Sequence, residues 1–151
     1  MEDWKLKYII GDLIRDRHQF DVIAHGCNCF LSMGAGIAAA VKREIPEAYQ
    51  IDLATQYGDP KKLGTITYTK EAITVVVNAY TQYKYGRDKR HADYDAIRSC
   101  MKHIKNLFSG KKIAMPMIGA GLAMGDWNII EKIIQEELFD EDVTIVRWEK
   151  D

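Results

Sequence analysis

An α/β fold of three layers, with helices on both faces of a central mixed β-sheet, is what this 151-residue sequence predicts. Three observations predict it. Short β-rich runs alternate with helical periodicities along the chain, the pattern of a sheet covered on both sides. Two helical segments follow one another around Pro46, and two β-rich runs lie side by side between 64 and 80, so strict strand–helix–strand repetition fails and the sheet is mixed. No linker, repeat or low-complexity tract interrupts a length that suits one core, which makes residues 1–151 a single domain.

Taken in order, Trp4–Ile10 reads as a strand closed by Gly11-Asp12, and Asp21–Ala24 as a short apolar strand ending at His25. Ile37, Val41 and Ile45 recur at helical spacing, placing a helix over 35–44. Pro46 opens a second helix with Tyr49, Leu53 and Tyr57 as its buried stripe, stopped by Gly58-Asp59-Pro60. Gly64–Thr69 and Ala72–Tyr80 form a hairpin pair split by Lys70-Glu71. Asp93 caps a long helix whose stripe is Tyr94, Ile97, Met101, Ile104 and Phe108, ended by Ser109-Gly110. Lys112–Met117 is a strand, Asp126 caps a last helix with Trp127, Ile130, Ile134 and Leu138 inward, and Val143–Trp148 is the final strand.

Composition excludes several function classes. With 47% hydrophobic and 28% charged residues, the chain is of a soluble globular type. Its 21 basic and 22 acidic residues leave a net charge of −1, so no whole-molecule field attracts nucleic acid or an anionic membrane. No apolar run reaches the ~18 residues of a membrane span, and the charged start Met1-Glu2-Asp3-Trp4-Lys5 lacks a signal-peptide core. Three cysteines, two of them in Cys27-Asn28-Cys29, are an odd number too closely spaced to pair, as in a reduced cytoplasmic protein. Nothing marks an oligomer, and a monomer is expected.

Two glycine-rich loops recur in equivalent places. Ser32-Met33-Gly34-Ala35-Gly36-Ile37 follows one strand and opens a helix; Ile118-Gly119-Ala120-Gly121-Leu122-Ala123-Met124-Gly125-Asp126 follows another and does the same. Glycine lets backbone amides approach a ligand, and a helix N-terminus adds positive potential. Two such turns at the carboxyl ends of sheet strands make a cleft for a phosphate-bearing ligand, although sharp turns alone also need glycine. The late loop is one residue longer than the dinucleotide fingerprint, and neither loop ends in Gly-Lys-Ser or Gly-Lys-Thr, which sets aside Rossmann and P-loop readings.

Polar candidates are few. Asp12 can accept from an exocyclic amine or serve as a turn residue. Asn28 offers donor and acceptor to a ribose diol. His25 is an acid, base or nucleophile near neutral pH, or a structural side chain. His25, Cys27 and Cys29 supply at most three soft ligands with no second cluster to complete a tetrahedral site, so no metal is expected.

The pieces GDLI at 11–14, DVIAHGCNCFLSMGAGIA at 21–38, YGDPKKLGT at 57–65 and MPMIGAGLAMGDW at 115–127 together resemble the macro domain family. The segment around His25 is most similar to its ADP-ribose-1″-phosphate phosphatase and terminal ADP-ribose protein glycohydrolase branches. The resemblance implies an ADP-ribose cleft lined by Gly11, Asp12, Leu13, Asn28, Met33, Gly34, Ala35, Gly36, Ile37, Ile118, Gly119, Ala120, Gly121, Leu122, Ala123 and Met124, with no cofactor. Asp12 would hold the adenine amine, and Trp148 or Tyr80 would pack near the base. His25 and Asn28 would carry the chemistry of a phosphatase. Lys84 and Asp126 are the catalytic candidates of an ADP-ribosyl hydrolase, whose branch has an aspartate where this chain has Ala123. A reader that binds ADP-ribose without chemistry needs only Asp12 and the glycine loops. The basic stretch 84–91 flanks the cleft.

Overall fold

The computed structural model describes residues 4–70 and 73–149. Residues 1–3 and 150–151, and the expected strand start at Ala72 with Glu71 before it, lie outside them. Six strands, β1 (Lys7–Gly11), β2 (Val22–Cys27), β3 (Ile66–Tyr68), β4 (Val75–Tyr80), β5 (Lys112–Met115) and β6 (Asp142–Trp148), form one sheet in the order β1-β6-β5-β2-β4-β3. All neighbours are parallel except β3, which runs antiparallel to β4. The sheet is therefore mixed, as expected, and five strands end at the same edge. Four helices cover it: α1 (Gly36–Glu44), α2 (Pro46–Leu53), α3 (Tyr94–Phe108) and α4 (Trp127–Glu137).

Strand alternation assigns the faces. On one side Ile23, Val76, Tyr80, Ala114 and Val146 pack with Val41 of α1 and Ala48 of α2. On the other, Val22, Ala24, Val77, Ala79, Met115 and Ile145 pack with Ile97, Met101 and Ile104 of α3 and Ile130 and Ile134 of α4. Each of these isoleucines, fully removed from water, contributes about 1.5–3 kcal/mol of burial. The helix starts follow from local chemistry: the Asp93 carboxylate accepts from Ala96 N at 2.9 Å, and that of Asp126 from Asn128 N at 2.9 Å.

Two expectations are corrected. The second helix stops at Leu53 and buries Ala48 and Asp52, while Leu53 and Tyr57 are exposed. The reason is tertiary: Tyr80 Oη donates to Asp52 Oδ1 at 2.8 Å, turning the polar residue inward. The second strand continues through Gly26 and Cys27, because Val22–Cys27 pairs in register with Val75–Tyr80. His25 is thus an interior strand residue.

β1 is an edge strand joined to the sheet only through β6, and Lys7, Tyr8, Ile9 and Ile10 are all exposed. Its carboxyl end, Gly11-Asp12, opens onto the same edge as the glycine turns.

Candidate functional site

The strand order sets the site out in a row. From β1 across to β4 the carboxyl ends carry Asp12, then Trp148, the late glycine turn after β5, the early one after β2, and finally Thr81 with the segment behind it. The two turns meet: a β-carbon on Gly36 would lie 3.6 Å from Leu122 Cδ1. Gly36 and Gly119 adopt left-handed backbone, with φ of 58° and 78°. Gly121 has open space where a side chain would project.

Backbone donors are in surplus here. Among the described residues, the amides of Gly34, Ala35, Gly36 and Ile37 in the early turn have no protein acceptor, nor do those of Gly119, Gly121, Leu122 and Ala123 in the late turn. Helix α1 begins at Gly36, so its first amides add the positive end of a helix dipole. Such a concentration of unpaired N–H groups is chemistry for an anion.

At the β1 end, Asp12 Oδ1 accepts from Ile14 N at 3.1 Å and Arg15 N at 3.0 Å, closing an Asx turn. Its second oxygen and the Leu13 amide have no partner among the described residues. The Leu13 side chain is core. Gly11 carbonyl accepts from Glu149 N. Trp148, 43% exposed, pairs in register with Gly11 and stands beside this turn. Tyr80 is fully buried, its hydroxyl committed to Asp52 and Thr67, and it reaches no cleft.

Asn28 is spent on the turn itself. Its Oδ1 accepts from Phe30 N at 2.8 Å and its Nδ2 donates to Ser32 O at 3.0 Å. Met33 and Ile118 contribute buried side chains to the two cores, so only their backbones face the turns. The carbonyl of the buried Ala123 accepts from His91 N and Ala92 N at 2.9 and 3.1 Å. Ala120 is half-buried, while Leu122 and Met124 are exposed and apolar at the tip.

His25 lies inside the α1/α2 layer at 1% exposure. Its Nε2 meets Asn78 Oδ1 at 2.8 Å, and Cys27 Sγ stands 3.7 Å from the same nitrogen. Burial pushes its pKa down to about 4, opposed by the Asn78 bond, so the ring is neutral at pH 7. It has no access to the turns. The Cys27 thiol is raised by the same burial and stays protonated. Among the described residues no group of three His, Cys, Asp or Glu side chains is placed to hold a metal.

Asp126 is exposed, with Oδ1 capping α4 and its amide donating to Tyr94 Oη at 2.9 Å. Lys84 is exposed on the segment after β4, in a hollow of about 470 Å³ whose charged lining also includes Lys89, Arg90, Asp88 and Asp93. Another hollow of about 450 Å³ lies between α3 and α4, away from the turns.

Sequence reasoning missed what fastens the early turn. The buried Lys62 Nζ donates to Cys29 O at 3.1 Å and sits 5.0 Å from the Tyr80 ring centre. Gly58 N donates to the same carbonyl, and Cys29 N donates to Tyr83 O. Nothing local in Pro60-Lys61-Lys62 distinguishes the buried lysine from its exposed neighbour.

The comparisons agree with this geometry. The family model of the macro domain matches residues 24–134. An uncharacterized 17.5 kDa protein of Enterobacteria phage T4 is 35% identical, covering 95% of this chain and 97% of that protein. A protein of Debaryomyces hansenii named ADP-ribose 1″-phosphate phosphatase is 30% identical over 87% of this chain and 93% of its own length. The fold of Thermosipho africanus DarTG, solved in complex with ADP-ribose, superposes with a TM-score of 0.76 at 18% identity, over 96% of this chain and 42% of that one. A six-stranded mixed sheet between two helical layers, two touching glycine turns at its carboxyl edge and a family model spanning both turns lead to one conclusion: this chain belongs to the macro domain family.

Proposed function

We propose that the protein binds ADP-ribose along the carboxyl ends of β1, β6, β5 and β2, and hydrolyses ADP-ribose-1″-phosphate to ADP-ribose and phosphate. The observation that carries this is the meeting of two turns whose amides have no protein acceptor. A diphosphate laid between Gly34–Ile37 and Gly119–Ala123 would satisfy them. Asp12 Oδ2 and the Leu13 N–H form an acceptor and donor side by side, matching the amine and N1 of adenine. The names of the yeast relatives support the phosphatase, and the ligand of the DarTG structure supports ADP-ribose.

In this reading a water oxygen attacks phosphorus, the bond from phosphorus to the C1″ oxygen breaks, and that oxygen leaves with the electron pair and takes a proton. The turn amides stabilise the charge that develops. Asp126, whose Oδ2 has no partner among the described residues, orients the water and receives its proton. Lys84 offsets charge on the phosphoryl oxygens. Asn28 shapes the early turn through its bonds to Phe30 and Ser32. His25 positions the end of β2 and does not touch substrate. Its burial favours a second reading, a binding module with no chemistry.

Calorimetry with ADP-ribose and phosphate release from the 1″-ester separate these. We expect saturable binding and turnover. D126N keeps the cap oxygen, so it should abolish turnover and leave ADP-ribose affinity within about threefold. Binding without release selects the reader; no binding sinks both.

A further inference from the structure

Segment 82–92, after β4, is lashed to both glycine turns. Cys29 N donates to Tyr83 O at 2.9 Å, His91 N and Ala92 N donate to Ala123 O, and Gln82 bridges Ala92. Its charges are lopsided. Asp88 and Asp93 line the same hollow as its cations, but Asp88 is engaged by His91 Nε2 at 2.8 Å and Asp93 caps α3. Lys84, Arg87 and Lys89 form no ion pair among the described residues, and Arg90 stacks on Tyr94 at 4.4 Å. Elsewhere Lys7, Arg15, Arg43, Arg98, Lys102 and Lys105 are all matched to carboxylates. Lys61, Lys111 and Arg147 also form no ion pair among the described residues, but here three cations, Lys84, Lys89 and Arg90, line one hollow.

The strand order says what they face. Asp12 and the segment stand at opposite ends of the row, four strand spacings apart, or about 19 Å at about 4.8 Å each. That is a span an outstretched ADP-ribose covers, with adenine at β1 and diphosphate at the turns. Its distal ribose then arrives under residues 82–92.

We propose that the hollow lined by Lys84, Lys89 and Arg90 is an anion subsite that receives a phosphate esterified to the distal ribose. This rests on the ADP-ribose reading above and adds the residues that tell the phosphorylated ligand from the bare one. The cations are exposed, on a segment whose backbone is fixed at both ends, so the subsite needs no rearrangement of the core. Two charge-assisted contacts to one phosphate give the preference.

The test compares ADP-ribose with ADP-ribose-1″-phosphate by calorimetry on the wild type and on K89A/R90A. Where the ester is turned over, its KM replaces the binding constant and ADP-ribose is read as a product inhibitor. The wild type is expected to prefer the ester by about tenfold, and the double variant by about twofold or less. ADP-ribose affinity should move less than about twofold, and raised salt should erode the preference. Equal affinities in the wild type, or a preference that survives K89A/R90A, overturn the subsite and leave the cleft intact. A 5′-phosphorylated oligonucleotide that competes with the ester as well as ADP-ribose does also overturns it, since the patch is then a nucleic-acid surface. Failure of both ligands to bind overturns the ADP-ribose reading with it.

Discussion

Lowering the pH from 7 to 5 sets the protonation of His25 against its surroundings. The unfolded imidazole titrates near 6.5 and the buried one near about 4. A depressed folded value means the fold prefers the neutral ring. Its contribution is therefore complete above 6.5, shrinks as pH falls from 6.5 towards 4, and is gone below that. At pH 5 the unfolded chain is almost fully protonated at this site and the folded chain about one-tenth so, which costs about 2 kcal/mol of stability relative to pH 7. Urea unfolding at both pH values, on the wild type and on His25→Gln, isolates the effect because carboxylate contributions common to the two proteins cancel. The wild type should lose about 2 kcal/mol more than the variant between pH 7 and 5. Equal losses would refute the buried, neutral histidine and reopen its claim to the cleft.

Gly119→Ala places a side chain at φ of 78° with its β-carbon 3.0 Å from Ile97 Cδ1 and 3.1 Å from Ile130 Cδ1; a loss of about 1–3 kcal/mol, read by thermal unfolding, is expected together with weaker ADP-ribose binding. Asp12→Ala removes both the turn acceptor and the free carboxylate oxygen; calorimetry should show ADP-ribose affinity falling about tenfold or more, beside about 1 kcal/mol of lost stability. Glu141, which accepts from Gly110 N, Ser109 Oγ and Lys105 Nζ, has its pKa lowered to about 2 by those bonds, the backbone one foremost. Its stabilisation is present above the ordinary carboxylate value of 4.5 and lost as pH falls towards 2. Glu141→Gln should accordingly cost about 1–2 kcal/mol at pH 7 in urea melts and progressively less below pH 4.

What the sequence made legible was local chemistry. Asp93 and Asp126 announce helix starts because an aspartate cap is settled within three residues, and the glycine turns announce themselves because few other residues tolerate such backbone. The apolar spacing of α3 held for Ile97, Met101 and Ile104 because its neighbours on that face are apolar too. Where a partner lies far along the chain, the pattern was silent. The inward face of α2 depends on Tyr80 bonding Asp52, 28 residues away. The true end of β2, and with it the burial of His25, depends on pairing with Asn78, 53 residues on. Asn28 looked free for a ribose because nothing in the sequence shows that its amide closes the turn onto Phe30 and Ser32.

The outermost strand has a consequence of its own. β1 is zipped along one margin only, shows side chains to water on both faces, and ends in the Asp12 turn that would grip the base. Peeling it away would dismantle that grip, so in the proposed reading a seated nucleotide would hold the strand down, and slower amide exchange at Lys7–Ile10 would report occupancy from the far rim. Its free margin carries the exposed Ile9 and Ile10, an edge of the kind another extended chain can pair with.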